Sequence, residues 1–261
     1  MIGVFDSGLG GLSVLAAIAR AMPRADLAYV ADTAHVPYGN KPDAFIRSRV
    51  VALGEHLVEE GCGMLVVACN TATVAAVRAL RERFPALPIV GVEPGVKPAA
   101  AGSLTRRIAV LATEATARSE RLATLVREHA QGVEVLIEAC PGWATRVEAL
   151  HIDDRGFADE IALRIRPLLA AGADRIVLGC THYSFLAPLL TPLVAGQAEL
   201  VDVADAVARQ CLRLAGNAAD GQAGLRLAAT SQPERLRAAL PALGLHWLAE
   251  RARGPAALAR V

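Results

Sequence analysis

Two apolar runs in the chain end in a cysteine followed by hydrogen-bonding residues: Met64-Leu65-Val66-Val67-Ala68-Cys69-Asn70-Thr71 and Ile176-Val177-Leu178-Gly179-Cys180-Thr181-His182. A thiol with the reference pKa of about 8.5 is only a few per cent thiolate at neutral pH. Two thiols therefore offer a base and an acid of one residue type, differing only in which holds the proton. Such a pair suits inversion of a stereocentre, one thiolate removing a proton from one face while the other thiol protonates the opposite face. Nucleophilic catalysis would ask for one cysteine with a histidine partner, and disulfide exchange for two cysteines close in sequence. Either cysteine alone can be read as a small buried hydrophobe. The repetition argues against that, because Gly61 precedes Cys69 by the same eight positions as Gly172 precedes Cys180.

The polar neighbours differ between the two copies. Asp6 closes the first strand of the Cys69 half, where its counterpart is Ala112, and His182 stands where the first half has Thr71. A substrate with different groups at its two ends requires that difference. Asp6 can equally cap the helix that follows it, and His182 can be an ordinary surface histidine. Pyridoxal chemistry needs a Schiff-base lysine, yet Lys41 and Lys97 follow no phosphate-cradling loop, so a mechanism without a cofactor is expected. Gly8-Leu9-Gly10-Gly11 falls short of a dinucleotide fingerprint, with Ser13 in the last position and Asp6 repelling phosphate. Cys180 and His182 have no companion cluster, and no metal site is expected.

Both thiols need strands to carry them. From Ile2 to Val92 the chain alternates strand and helix: Ile2 to Phe5, Leu27 to Ala31, the Cys69 strand and Ile89 to Val92, with helices over Leu12 to Met22, from Asp43 as a cap, and up to Phe84. The pattern then restarts, with Ile108 to Thr113 standing for Ile2 to Ser7, Val133 to Ile137 for the second strand, and Leu200 to Val203 for the fourth. The expected fold is α/β, an internal duplication of two similar doubly wound parallel-sheet lobes facing each other across a cleft. Ligands bind such sheets at the carboxyl ends of the strands, which is where both cysteines fall. The lobes are expected at 1–95 with 206–261, and at 96–205. After Ala204 come a helix, a flexible Gly216 to Gly224 stretch, a strand at Leu225 to Ala228 and a helical segment, without counterpart in the first half.

The 261 residues carry 27 Lys and Arg against 26 Asp and Glu, so net charge implies neither a nucleic-acid nor a membrane-surface partner. Apolar runs are strand-sized, far short of the roughly 18 residues of a membrane span. Met1 leads into a strand without a targeting segment, and five cysteines form no paired framework, both of which fit the reducing cytoplasm.

Taken together, Gly3-Val4-Phe5-Asp6-Ser7-Gly8, Pro37-Tyr38-Gly39, Ala68-Cys69-Asn70-Thr71-Ala72, Gly91-Val92-Glu93-Pro94, Cys140-Pro141 and Gly179-Cys180-Thr181-His182-Tyr183 make the chain resemble the glutamate racemases of the aspartate/glutamate racemase family. The resemblance implies a cofactor-independent isomerase supplying D-glutamate for peptidoglycan, with Cys180 acting on L-glutamate and Cys69 on the D-isomer. It further implies that Asp6, Ser7, Pro37, Tyr38, Gly39, Asn70, Thr71, Thr181 and His182 hold the amino acid. Asp6 and His182 would support the thiols, with Glu148 and Thr113 behind them, and a homodimer is the usual assembly. Aspartate racemases tend to carry an acidic residue after the second Cys-Thr, so His182 favours glutamate. Departures are Ser184, Gly95 and the polar run Gly142 to Val147, which leaves the helix before Glu148 open. No regulatory extension is expected before Met1. Racemisation of aspartate or a hydantoin, decarboxylation by one thiol, non-catalytic amino-acid binding and a dehydrogenase are the alternatives.

Overall fold

A computed structural model describes residues 1–252 and 254–261. Ten strands are present among them: β1 Ile2–Asp6, β2 Leu27–Ala31, β3 Met64–Val67, β4 Ile89–Gly91, β5 Arg107–Ala112, β6 Glu134–Ala139, β7 Arg175–Leu178, β8 Glu199–Val201, β9 Leu225–Ala229 and β10 Ala257–Leu258. They form two sheets, ordered β10-β9-β2-β1-β3-β4 and β6-β5-β7-β8, in which every pairing is parallel. Parallel pairing requires a crossover between neighbours, and the intervening helices supply it. The chain divides into two compact units, Met1–Val92 with Ala204–Val261, and Glu93–Val203.

In the first unit β1 and β3 are central and completely buried, as their β-branched and aliphatic residues demand. One face of the sheet, through Phe5, Val30, Leu65 and Val67, packs under Ile46, Val50 and Leu53 of the helix Asp43–Glu59 and Ala72, Ala76 and Leu80 of the helix Asn70–Arg83. Asp43 is not the cap of its helix. Pro42, extended at φ −63° and ψ 145°, holds that position, and Asp43 is the first helical residue, where its charge meets the helix dipole. After Ala204 the chain adds β9 alongside β2 and β10 outside it. The Gly216 to Gly224 stretch contains a short 3-10 turn, and the Asp26 carboxylate accepts from the amides of Gln222 (3.2 Å) and Gly224 (2.7 Å).

The second unit repeats the order of the first, β5 to β8 standing for β1 to β4. The repetition extends to single bonds at the carboxyl edge. Ala68 N donates to Phe5 O and Gly179 N to Leu111 O, each at 2.8 Å, while Asp32 N donates to Asp6 O and Cys140 N to Ala112 O, each at 2.9 Å. Cys69 and Cys180 are therefore equivalent positions, as are Asp6 and Ala112. Among the described residues no helix is long and apolar enough to cross a membrane.

Candidate active site

Each thiol stands two residues beyond a central strand, with extended backbone (φ −133°, ψ 122° at Cys69; φ −140°, ψ 135° at Cys180), at the mouth of the helix that follows. That helix is Asn70–Arg83 after Cys69 and the 3-10 run Thr181–Leu186 after Cys180. Amides at a helix start favour a developing negative charge. The two cysteines keep 7% and 8% exposure, which leaves each sulfur at the edge of its core.

Around Cys69 the first unit assembles Asp6, Ser7, Asn70 and Tyr38. Ser7 Oγ lies 3.8 Å from Cys69 Sγ and 3.3 Å from Asp6 Oδ1, which also accepts from Ser7 N at 2.7 Å. Asp6 Oδ2 accepts from Gly11 N at 2.5 Å. A Cβ at Gly11 would come within 2.6 Å of Asp6 Cβ, so only glycine lets that amide close on the carboxylate. Asp6 is thus not the cap of the helix Leu12–Ala21, whose N-cap is Gly11; it holds the Gly11 amide and reaches Cys69 through Ser7. Asn70 is 4% exposed, and among the described residues neither atom of its amide has a hydrogen-bond partner. A buried amide left so costs about 1–3 kcal/mol, which a polar ligand would relieve. Thr71, half-buried, follows in the first helical turn. Pro37 is exposed and Gly39 half-buried, while Tyr38 is buried and its hydroxyl donates to Asp32 at 2.6 Å. Burial and the neighbouring Asp32 charge push the Tyr38 phenol far above its ordinary range, so it stays a donor.

Around Cys180 the second unit assembles His182 and Glu148. His182 Nδ1 is 3.6 Å from Cys180 Sγ, and His182 Nε2 is 2.5 Å from Glu148 Oε1. Burial alone would favour neutral imidazole, but hydrogen bonds to Cys180 and Glu148, with their negative charge, outweigh it and hold His182 well above the usual histidine value. Glu148 ends the short helix Trp143–Glu148, which starts from Gly142 in the left-handed region (φ 79°). Trp143 anchors that helix. Its indole makes edge contacts with Tyr183 (5.4 Å between centroids) and Phe157 (6.0 Å), and its Nε1 donates to Glu160 at 3.0 Å. The polar run that leaves this region open in the sequence resolves into a buried Trp143 and Val147 with Thr145 exposed, and Arg146 pairs with Asp154. Thr181 is buried beside Cys180. Thr113, the equivalent of Ser7, instead caps a helical turn, accepting from Thr116 N at 3.3 Å and donating to Thr116 Oγ1 at 3.1 Å.

Cys62, Cys140 and Cys211 are a different class. Burial pushes their thiols up to about 11, 12 and 12. Among the described residues no group of three or more His, Cys, Asp or Glu is arranged to hold a metal. Sequence reasoning missed Asp32 and Arg49, a buried ion pair below Tyr38 with 2.9 Å contacts. Asp32 lies among turn formers that read as loop, and its partner 17 positions away gave no local signal.

A family model described as Asp/Glu/Hydantoin racemase matches residues 2–211. A glutamate racemase of Ectopseudomonas mendocina is 46% identical over 246 residues, 93% of this chain and 94% of its own. One from Pseudomonas aeruginosa is 45% identical over 246 residues, 93% of each chain. Among solved structures, Escherichia coli glutamate racemase in complex with L-glutamate and the activator UDP-MurNAc-ala superposes with a TM-score of 0.84 at 31% identity, covering 93% of this chain and 94% of that one. The glutamate racemase of Aquifex pyrophilus gives 0.78 at 30% identity and 98% of both.

Proposed function

The chain belongs to the Asp/Glu/Hydantoin racemase family, a family of isomerases, and we propose that it interconverts L- and D-glutamate by proton transfer between two thiols. The observation that carries this reading is the repeated strand end, which sets Cys69 and Cys180 in equivalent positions with unlike partners. Cys180 has His182 on its sulfur, with the Glu148 carboxylate on the far ring nitrogen raising the histidine's proton affinity, a partner for a thiolate. Cys69 has a serine hydroxyl backed by a carboxylate, a path for a proton to and from the sulfur. From L-glutamate, the Cys180 thiolate takes the α-proton and the Cys69 thiol protonates the opposite face. From the D-isomer the roles exchange.

The remaining expectations fit this assignment. Asp6, Ser7, Asn70 and Thr71 would hold the amino acid at the first thiol, Thr181 and His182 at the second, and the Pro37–Gly39 loop would close on it, with Glu148 fixing His182. The orphaned Asn70 amide supports a polar ligand at that place. The relatives' names and His182 favour glutamate over aspartate. D-glutamate made this way would feed peptidoglycan synthesis in the cytoplasm, and a homodimer would be the assembly, which sedimentation velocity tests.

Pure protein is incubated with L-glutamate in deuterium oxide without added cofactor, following optical rotation and the α-proton signal, beside Cys69→Ala and Cys180→Ala. Decay of rotation with deuterium entering at the α-carbon, abolished by either substitution, is the expected result. Steady rotation with no deuterium uptake would overturn the glutamate assignment, and the same assay on aspartate would then separate another substrate from simple binding.

A further inference from the structure

Two parts of the chain take no part in the proposed proton transfer: the Asp32–Arg49 pair, and the segment after residue 211, where the family match ends. They meet at one place. Asp32 is completely buried, and Arg49 is only 12% exposed at its side chain. Asp32 Oδ1 accepts from Arg49 Nη2 (2.9 Å) and Thr230 Oγ1 (2.8 Å), while Oδ2 accepts from Arg49 Nε (2.9 Å) and Tyr38 Oη (2.6 Å). Four donors saturate the carboxylate.

The outer ends of this network lie in the C-terminal segment. Arg49 Nη1 donates to Val261 O at 3.0 Å, Thr33 Oγ1 donates to Ser231 O at 2.6 Å, and the amides of Ser231 and Ala34 donate to the hydroxyls of Thr33 and Thr230, both at 3.0 Å. Thr230 N itself donates to Ala31 O at 3.0 Å, continuing the sheet edge. Buried ion pairs gain little stability over apolar packing, because desolvation offsets the attraction; what they fix is direction. Here the direction fixed is that of Tyr38. Its side chain is 1% exposed, it shares a core cluster with Cys69, and its one proton is committed to Asp32. The phenol is an anchor, and its turn Tyr38–Asn40 packs against the helix Asn70–Arg83 that follows Cys69.

We propose that Asp32, Arg49 and Thr230 are positioning residues that fix the Pro37–Gly39 loop beside Cys69 through the Tyr38 phenol, with the strand Leu225–Ala229, Ser231 and Val261 as the fixed side of the clamp. The proposal rests on the racemase reading and deepens it. The amino acid meets the main chain of this loop, and the Tyr38 hydroxyl faces away from it.

Tyr38→Phe deletes one hydrogen bond to Asp32 at nearly constant shape; Thr230→Val deletes another together with the acceptor of Ala34 N, so the exchange of amide 34 is set aside for that variant, while Thr230→Ser keeps the hydroxyl. Full-length variants are compared with wild type for glutamate racemisation in both directions, urea unfolding midpoint, and hydrogen exchange of amides 33–41. Hydrogen bonds to a buried charge correspond to about 10- to 100-fold in an equilibrium. The expected result is a roughly tenfold rise in KM with kcat within about twofold for Tyr38→Phe and Thr230→Val. Amides 33–41 exchange about tenfold faster in both, Thr230→Ser is restored to wild-type behaviour, and the double variant gains less than the product of the two. Unchanged KM in Thr230→Val, or a fall in kcat for Tyr38→Phe without faster exchange, overturns the proposal, the latter by putting the phenol on the reacting molecule. A lower urea midpoint with KM unmoved overturns it in favour of a purely structural pair. Should wild type fail to racemise glutamate, the racemase reading falls on its own. Exchange then decides the clamp: acceleration confined to 33–41 and its neighbours supports it, and unchanged exchange overturns it.

Discussion

At His182 two opposing effects have to be weighed before any pH dependence can be stated. Burial favours neutral imidazole, whereas Cys180 on one nitrogen and Glu148 on the other favour imidazolium, and the second pair wins. The folded-state value therefore lies above the unfolded value of about 6.5. Stability from this group is fully present below about pH 6.5 and is lost as pH rises through the folded-state value, about 1.4 kcal/mol going for each pH unit that separates the folded from the unfolded value. His182→Asn removes that dependence. Thermal midpoints of wild type and variant, followed from pH 5 to 9, are expected to converge toward alkaline pH, and parallel curves would rule the charge out. For catalysis, Glu148→Gln keeps a partner for Nε2 but drops the charge. A charge-assisted hydrogen bond of about 1.5–3 kcal/mol translates into a loss of about 10- to 100-fold in kcat, read in the same optical-rotation assay. Cys69, Cys180, Asp6 and His182 were legible in the sequence, because each sits at or just beyond a strand end, whereas Glu148 entered only through the family resemblance. Asp32 and Arg49 were not, since a buried pair is made by tertiary packing and leaves no periodic trace.

At the scale of the element, the helix Trp143–Glu148 decides whether Glu148 is in reach of His182. Six residues are too few to be helical on propensity alone, so tertiary contacts hold it. Trp143 makes those contacts, completely buried against Tyr183 and Phe157, while Arg146 lies 4.7 Å over the Phe157 ring and pairs with Asp154, which accepts from Phe157 N and so caps the next helix, Arg155–Ala170. Trp143→Ala is expected to lose about 3–5 kcal/mol in urea titration, as large-to-small changes in packed cores do. Trp143→Phe keeps most of the ring and loses the bond to Glu160, for about 1 kcal/mol. Equal midpoints for the two would show that the ring packs nothing. In the sequence alone this stretch is unusually polar, which leaves its helix open. The structure resolves it because Trp143 and Val147, four apart, lie on one face of the helix and are both buried.

Across the whole chain the duplication is what makes five cysteines fall into two classes. Its signal in the sequence was strong, since the eight-residue step from Gly61 to Cys69 recurs from Gly172 to Cys180, and the same strand order and edge bonds recur in the two units. The return of β9 beside β2 carried no such signal, because a single short strand after a break in alternation does not name its neighbour. Cys62, Cys140 and Cys211 lie inside cores at 4%, 2% and 0% exposure, their thiols pushed up to about 11, 12 and 12, so they are protonated and shielded at neutral pH. Cys69 and Cys180 stand at equivalent positions two residues beyond the central strands, each with a polar side chain on its sulfur, whereas the Cys140 sulfur meets the backbone carbonyl of Glu138. Iodoacetamide at pH 7.5 is therefore expected to add at most two groups to the native protein, on Cys69 and Cys180, and five after unfolding in urea. Intact mass followed by peptide mapping reads this directly. Glutamate should slow both native additions together, since one amino acid engages both thiols in the proposed reaction. An early adduct on Cys62, Cys140 or Cys211 would break the division into two classes, and protection of only one edge thiol by glutamate would leave the second without its assigned part in the proton transfer.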